Sequence, residues 1–385
     1  MNILLLGGGL QGRAVLHDLA KTASVEAITC ADCQIDRVQS YLQQLRCRKA
    51  KVVHLDATDE SSLRRLMGGG FDAVIDMLPR DFGRPVAEAA IQAGVHLVNS
   101  HYDHELRSLR DQAVAADIAI LPEMGMDPGI DLVLAAEAVR RFDKVHRLDS
   151  YGGGIPEPGA DDNPLRYKIS WTFDGVLSSY VRPARLMRNG VVIEIPGNRI
   201  FEDEVVHTIE VEPFGTVEAF PNGDALSYAA RFGIEAAVQT TGRYALRWPG
   251  HARIWQVFSR LGFLEDTPNP ALEQISPRRF LCRHLEPRLQ YGNEERDVVI
   301  IRIVAEGEGY SSPRLTLEVI DYRDTQSGLM AMNRTVGYPA SIAAQMIVSG
   351  TINGRGLLSP TKHVPYGLFV AELRERGIQV RETTL

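Results

Sequence analysis

Cysteine is scarce in this chain: only Cys30, Cys33, Cys47 and Cys282 occur in 385 residues. That excludes a small scaffold stapled by disulfides. Cys30 and Cys33 have the spacing of a redox pair or half a zinc site, but no second close Cys or His pair accompanies them. The ten histidines are scattered, with no His-Glu-x-x-His run, so no metal site is expected and the two cysteines read as reduced thiols beside a loop. No apolar run approaches the ~18 residues of a membrane span. The opening stretch, residues 1–6, lacks the basic flank of a secretion signal and is interrupted at once by glycine. A cytoplasmic chain without a membrane partner is therefore expected. Dense runs of Lys or Arg are missing as well, and the formal net charge is −7, which argues against nucleic acid as a partner.

What remains is ordinary globular material. Hydrophobic residues make up 44% and charged residues 24%, enough apolar surface for real cores. The length suggests two domains, or three. Over residues 1–123 short apolar runs alternate with helical patterns: strands at 3–6, 25–29, 51–55, 73–77, 95–98 and 118–121, helices at 13–21, 34–46, 60–67, 84–93 and 104–116. Such repetition predicts an α/β fold with a doubly wound parallel sheet of Rossmann type. After residue 123 a helix is expected over 129–142, then a Gly/Pro-rich loop over 152–164, then strands including 191–195, 298–304 and 315–319. We read 124–335 as an α+β substrate-binding domain. Residues 336–385, helical at 337–348 and 366–376, are expected to pack back on the first domain.

Gly7-Gly8-Gly9-Leu10-Gln11-Gly12 fits G-x-G-x-x-G. The pattern gains meaning because it follows a buried-type strand and opens a helix. Gly7 permits the tight turn, Gly9 lets the backbone approach a pyrophosphate, and Gly12 lets the helix pack on the strand. Leu10 and Gln11 lie in the phosphate-facing first turn. Asp32, 20 residues after Gly12, is placed to accept bonds from the adenosine ribose and to repel a 2′-phosphate, so NAD is the expected cofactor; FAD is the minor alternative. Asp56, after the third strand, is either near the adenine or a helix cap ahead of Glu60.

The second half carries further motifs: Met124-Gly-Met-Asp-Pro-Gly-Ile-Asp131, Tyr151-Gly-Gly-Gly-Ile-Pro156, Asp162-Asn-Pro-Leu-Arg-Tyr-Lys168-Ile-Ser-Trp171, Phe220-Pro-Asn-Gly223-Asp224 and Leu246-Arg247-Trp-Pro-Gly-His251. These resemble the saccharopine dehydrogenase family, including its glutamate-forming reductases and the related lysine 6-dehydrogenases, over nearly the whole chain. The resemblance implies a Rossmann domain, an inserted substrate domain, an active site in the cleft between them, and NAD-linked oxidation of a C–N bond at the ε-carbon of a lysine-derived amino acid. It matches Tyr102 and Asp127 to polar positions near the nicotinamide. Gly152, beside Gly153 in the substrate-domain motif, stands where such enzymes often carry Cys. Gly223 stands where the reductases carry an Arg that would grip a substrate carboxylate; its absence and the 247–251 run, closer to lysine 6-dehydrogenases, favour free lysine over saccharopine, whereas the 162–171 run favours saccharopine.

The chemistry needs a base, because an ammonium cannot release hydride. Asp127 is the first candidate, its alternative being the N-cap of the following helix; Tyr102 and His251 follow, His101 last. Lys168 and Arg247 are candidate carboxylate ligands, or else solvated charges on strands. The expected partner is a small amino-acid substrate, lysine or saccharopine-like, and the expected assembly a homodimer. A polyamine-type substrate is the enzymatic alternative, and a non-catalytic NAD-binding sensor or scaffold on the same fold the other.

Overall fold

A computed structural model describes all residues, 1–385. The chain divides into two compact units: Met1–Val133 with Asn333–Ile378, and Leu134–Met332 with Gln379–Leu385.

The first unit opens with β1 (Asn2–Leu6), α1 (Leu10–Lys21), β2 (Ala27–Asp32), α2 (Ile35–Gln44), β3 (Ala50–His54), α3 (Glu60–Met67), β4 (Ala73–Asp76), α4 (Gly83–Ala93), β5 (His96–Asn99), α5 (Arg110–Ala115), β6 (Ala119–Leu121) and the start of α6 (Ile130–Arg140). β1 and β4 are buried apolar runs, as strands covered on both faces must be. The helix expected over 104–116 is shorter: two 3-10 turns precede α5. All neighbours in the sheet are parallel, in the order β3-β2-β1-β4-β5-β6. The order therefore reverses between β1 and β4, and the glycine turn leaves β1 at that switch point, where doubly wound sheets bind ligands.

The second unit holds most of α6, then β7 (Lys144–Pro156), α7 (Phe173–Ser179), β8 (Ala184–Arg188), β9 (Val191–Ile195), β10 (His207–Val211), β11 (Gly215–Pro221), α8 (Ala225–Phe232), β12 (Thr240–Arg247), α9 (His251–Arg260), α10 (Pro277–Leu285), β13 (Asp297–Glu308) and β14 (Arg314–Tyr322). The chain then returns to the first unit through α11 (Ala331–Val348), β15 (Gly356–Leu357), α12 (Pro360–His363) and α13 (Tyr366–Glu375), and ends in β16 (Val380–Thr384). β15 extends the parallel sheet beyond β6. The second sheet runs β10-β11-β12-β7-β13-β14-β16, with β8 and β9 attached at β12; only the β12–β7 pair is parallel. This mixed sheet is the α+β part of the α/β architecture.

One expectation is overturned here. The glycines at 152–154 belong to β7 and not to a loop. A Cβ on Gly153 would meet the Leu246 carbonyl oxygen at 2.5 Å, so close strand approach, rather than turn formation, requires that glycine. Within the first unit α11 lies against α1 just as tightly: a Cβ on Gly337 would stand 2.7 Å from the Gln11 carbonyl oxygen. The same contact buries Asp18, whose carboxylate receives Arg376 Nε and Ser341 Oγ, each at 2.6 Å. No helix is long and apolar enough to cross a membrane.

Asp297 caps α11. Its two carboxylate oxygens accept from the amides of Ala331 (2.7 Å) and Met332 (2.9 Å). Burial outweighs these bonds and pushes its carboxyl up to about 6. A carboxyl raised on folding contributes stability that is complete below its unfolded pKa and is lost as pH rises through the folded value. The stability of the wild type relative to an Asp297→Asn variant should therefore fall by about 2 kcal/mol between pH 4 and pH 8, measured by urea denaturation across that range. A pH-independent difference would show that the carboxyl titrates normally.

Candidate functional site

The glycine turn is built on contacts that no side chain would survive. Gly7 has φ +86°, and a Cβ on it would meet Met77 O at 2.9 Å. On Gly12 a Cβ would stand 1.9 Å from Gly7 O, and on Gly8 2.5 Å from Val38 Cγ2. Gly9 differs: nothing lies within 4 Å of its Cβ direction. Three of these glycines are thus demanded by the protein, and the fourth faces open space. Gly9 is also the N-cap of α1 and offers no side-chain cap to the first amides, the arrangement that receives a phosphate. Leu10 is 38% exposed on that first turn, while Gln11 Oε1 accepts from Asn333 Nδ2 at 3.4 Å.

Asp32 ends β2 with each oxygen engaged once: Oδ2 by Gly8 N, Oδ1 by Gln34 N, both at 2.7 Å. Each oxygen keeps a second lone pair for a ribose hydroxyl. Beneath the turn, Cys30 is buried, and burial followed by the charge of Asp32 pushes its thiol up to about 12, which makes it unreactive. Asp56 is exposed in a local turn, accepting from Thr58 N and Oγ1; the cap of α3 is Asp59 instead.

At the C-terminal edge of the same sheet, the segment following β6 runs beside the segment following β5: Met124 N donates to Asn99 O and Glu123 N to His101 O, each at 2.9 Å. This places half-buried Tyr102 and half-buried Asp127 on one edge. Helix α6 begins only at Ile130, and its first amides are served by the carbonyls of Gly125 and Met126, while Gly129 N donates to Asp131. Asp127 lies two residues before Gly129, the residue that precedes this helix. A group missed by the sequence reading lies here. Asp76 and Asn99 end the paired strands β4 and β5 in register, fully buried, each holding an amide two residues on. Asp76 Oδ2, Asn99 Nδ2 and His101 Nδ1 have no partner, and the Asp76–His101 separation is 3.9 Å. An Asp closing an apolar strand was the available signal.

The second unit sorts the remaining candidates by their charges. Lys168 Nζ is bound to Glu295 (2.6 Å) and Asp162 (2.9 Å); burial opposes its charge, but these carboxylates hold it above its ordinary value. Its charge is thus already matched. Arg247 is different. It is 7% exposed, its Nε donates to Tyr180 Oη at 3.2 Å and Nη1 to Leu246 O at 2.7 Å, its guanidinium lies 5.0 Å from the Tyr167 ring centroid, and no carboxylate pairs with it. His251 is not solvent-reachable: it is 2% exposed, with Nε2 2.8 Å from Tyr180 Oη and Nδ1 3.4 Å from Leu165 O. Burial, then the Arg247 charge, depress it well below its ordinary value, so it is neutral throughout the physiological range.

Strand register places Arg247 on a particular face. Residues alternate between sheet faces, and Arg243 pairs with Ser150 and Ala245 with Gly152. Arg243, Ala245 and Arg247 therefore share a face with Ser150, Gly152 and Gly154, whereas Gly153 belongs to the opposite one. Ser170 Oγ and the end of Met332 lie over Gly154. Gly223 adopts φ +76°, and the side chain of Arg182 passes its empty Cβ direction with Cδ at 3.9 Å. Asn222 N in the same corner donates to Arg243 O.

A glycine turn at the switch point of a parallel sheet, joined to a mixed-sheet unit bearing an unmatched buried arginine, defines a dinucleotide-binding, two-unit protein. Residues 3–121 match the family described as saccharopine dehydrogenase NADP binding domain, and residues 125–378 the saccharopine dehydrogenase C-terminal domain; the chain belongs to the saccharopine dehydrogenase family, and its first unit carries a pyridine-nucleotide-binding domain. It is 28% identical to the saccharopine dehydrogenase [NADP(+), L-glutamate-forming] of Saccharomyces cerevisiae over 100% of this chain and 99% of that protein. The structure of the apo yeast L-Glu-forming saccharopine dehydrogenase superposes with a TM-score of 0.87 at 27% identity, covering 100% and 99% of the two chains. Mouse mitochondrial alpha-aminoadipic semialdehyde synthase is 28% identical over 98% of this chain, but the chain spans only 47% of its length.

The two kinds of glycine separate experimentally. Gly9→Ala should leave the melting temperature within a few degrees, since Ala costs an N-cap little more than about 1 kcal/mol, while weakening pyridine-dinucleotide binding at least about 10-fold. Gly12→Ala should lower the melting temperature clearly, through its clash with Gly7. Equal effects of the two on stability, by calorimetry, would remove the distinction.

Proposed function

We propose that this chain is an NAD-linked oxidoreductase that oxidises the secondary amine of a saccharopine-type substrate at the lysine ε-carbon, giving an imine that water cleaves to a semialdehyde and an amino acid. The observation that carries the reading is Arg247: a buried cation without a protein carboxylate is costly, and a substrate carboxylate supplies the missing charge in bidentate form. The likeness to the yeast enzyme named for glutamate-forming saccharopine dehydrogenation favours saccharopine over free lysine.

The residues present fit a dinucleotide. The open Gly9, the uncapped first amides of α1 and the free lone pairs of Asp32 would hold one, and the Asp32 charge favours NAD over a 2′-phosphorylated form. When bound, NAD supplies the acceptor for a hydride. The protein's share is to fix the carboxylates and manage protons. We assign Asp127 to the amine, keeping it unprotonated for oxidation and later holding the attacking water; Tyr102 stands on the same edge as its alternate. His251 is assigned to positioning Arg247 through Tyr180 and not to base catalysis. Lys168 is assigned to closing the 162–168 segment against Glu295.

NADH absorbance read with saccharopine and with lysine tests the substrate. Saccharopine should exceed lysine in kcat/KM, and NAD should exceed NADP. Arg247→Lys, which keeps charge but loses the planar fork, should raise KM for saccharopine at least about 10-fold and leave dinucleotide affinity unchanged. Turnover of lysine alone would overturn the substrate class.

Asp127→Asn should lower kcat by about 100-fold with the fold retained, because Asn keeps a side-chain oxygen acceptor and caps helices as well as Asp. Wild-type turnover in the folded variant would transfer the proton-handling role to Tyr102.

A further inference from the structure

The first unit carries a second concave site at the end of its sheet opposite the glycine turn. Helix α1 starts at that turn and ends at Lys21; the α2–β3 connection, residues 45–49, meets it there, at the N-terminal ends of the parallel strands. Together they enclose a pocket of about 420 Å³ lined by Lys21, Arg46, Arg48, Lys49, His17 and Cys47 among others, with no acidic residue in its wall.

Its cations are unmatched in a protein whose arginines are mostly paired. Arg64, Arg80, Arg107, Arg141, Arg260 and Arg296 each reach a carboxylate. Lys21, Arg46 and Arg48 make no ion pair and no side-chain hydrogen bond. The nearby acids are engaged elsewhere: Glu26 faces the N-terminal ammonium at 3.5 Å and Asp18 binds Arg376 at 2.6 Å. Lys49 Nζ donates to Thr22 O (2.6 Å) and Val25 O (2.9 Å), which fixes it at the rim and leaves one of its three protons unassigned. Arg46 sits in a left-handed turn, φ +52°, that directs the chain between helix and strand. Like charges gathered in a concavity repel one another and focus a positive potential, and the overall charge of −7 makes this local excess the more distinct.

We propose that this pocket is a binding site for a compact multivalent anion, one carrying at least two phosphate or carboxylate groups, separate from the dinucleotide site. Its volume falls in the range of small-molecule sites. Two guanidinium forks and two ammonium groups suit clustered oxyanions, which accept charge-assisted bonds from several donors at once.

Calorimetric titration of the dinucleotide-loaded protein tests this, because loading removes the glycine turn as a competing phosphate site. Inorganic pyrophosphate and citrate serve as probes. At least one should bind with sub-millimolar affinity that weakens as salt rises. The arm with the tighter affinity identifies phosphate or carboxylate as the preferred group. An Arg46→Gln/Arg48→Gln double variant, altered only at exposed side chains, should bind that probe at least about 10-fold more weakly while keeping wild-type dinucleotide affinity and melting temperature. Absence of binding by both probes, or unchanged affinity in the double variant, would overturn the proposal. Neither result depends on which amine the enzyme oxidises.

Discussion

The separation between Gly7 O and the place where a Gly12 Cβ would sit, 1.9 Å, governs the first unit. Because no side chain fits, α1 leaves β1 at a backbone-to-backbone distance, and the helix axis points its first amides at the switch point between β1 and β4. Asp32 completes the constraint from the neighbouring strand by holding Gly8 N. One carboxylate thus braces the loop and places negative charge beside the glycine turn. Loop geometry and local charge are joined in this residue, so its replacement perturbs both unless the brace is retained.

Charge matching organises the second unit in a comparable way. Lys168 and Arg247 look alike in sequence, each a cation in a strand-like run. The structure gives Lys168 two carboxylates and Arg247 none. A buried ion pair is roughly neutral for stability, but an unmatched buried charge is unfavourable. The second case persists only where other groups hold it, here the Tyr180 hydroxyl, a carbonyl and an aromatic face. In the proposed reading, such a residue awaits an anion from outside the chain. The strip of Ser150, Gly152 and Gly154 on the same face adds no side chain larger than a hydroxymethyl group.

Most of the first unit was legible in the sequence because its signals are local. A buried apolar strand, a glycine turn, a helix and an acid at fixed spacing all lie within the first 32 residues. The second unit was less so. Its glycines at 152–154 read as a loop because glycine usually marks turns; the reason they form a strand is Leu246, nearly a hundred residues away. The placement of Arg243 and Arg182 depends on register and on the empty Cβ direction at Gly223, neither of which has a sequence period. Asp76 was overlooked for the opposite reason: it sits in a strand whose apolar neighbours make the local pattern look complete.

His251 illustrates how burial reverses an inference drawn from residue type. Arg247 Nε only donates, so the Tyr180 oxygen accepts from it and passes its own hydrogen to His251 Nε2. Nδ1 then carries the ring proton toward Leu165 O. Protonating the ring would put a hydrogen on Nε2, leave the Tyr180 hydroxyl without an acceptor, and add a second positive charge beside buried Arg247. The imidazole therefore stays neutral, and its neutrality allows the hydroxyl to keep an acceptor while Arg247 keeps its charge. A cationic guanidinium and an imidazole held toward its neutral form support one another across a tyrosine, an arrangement suited to fixing an orientation.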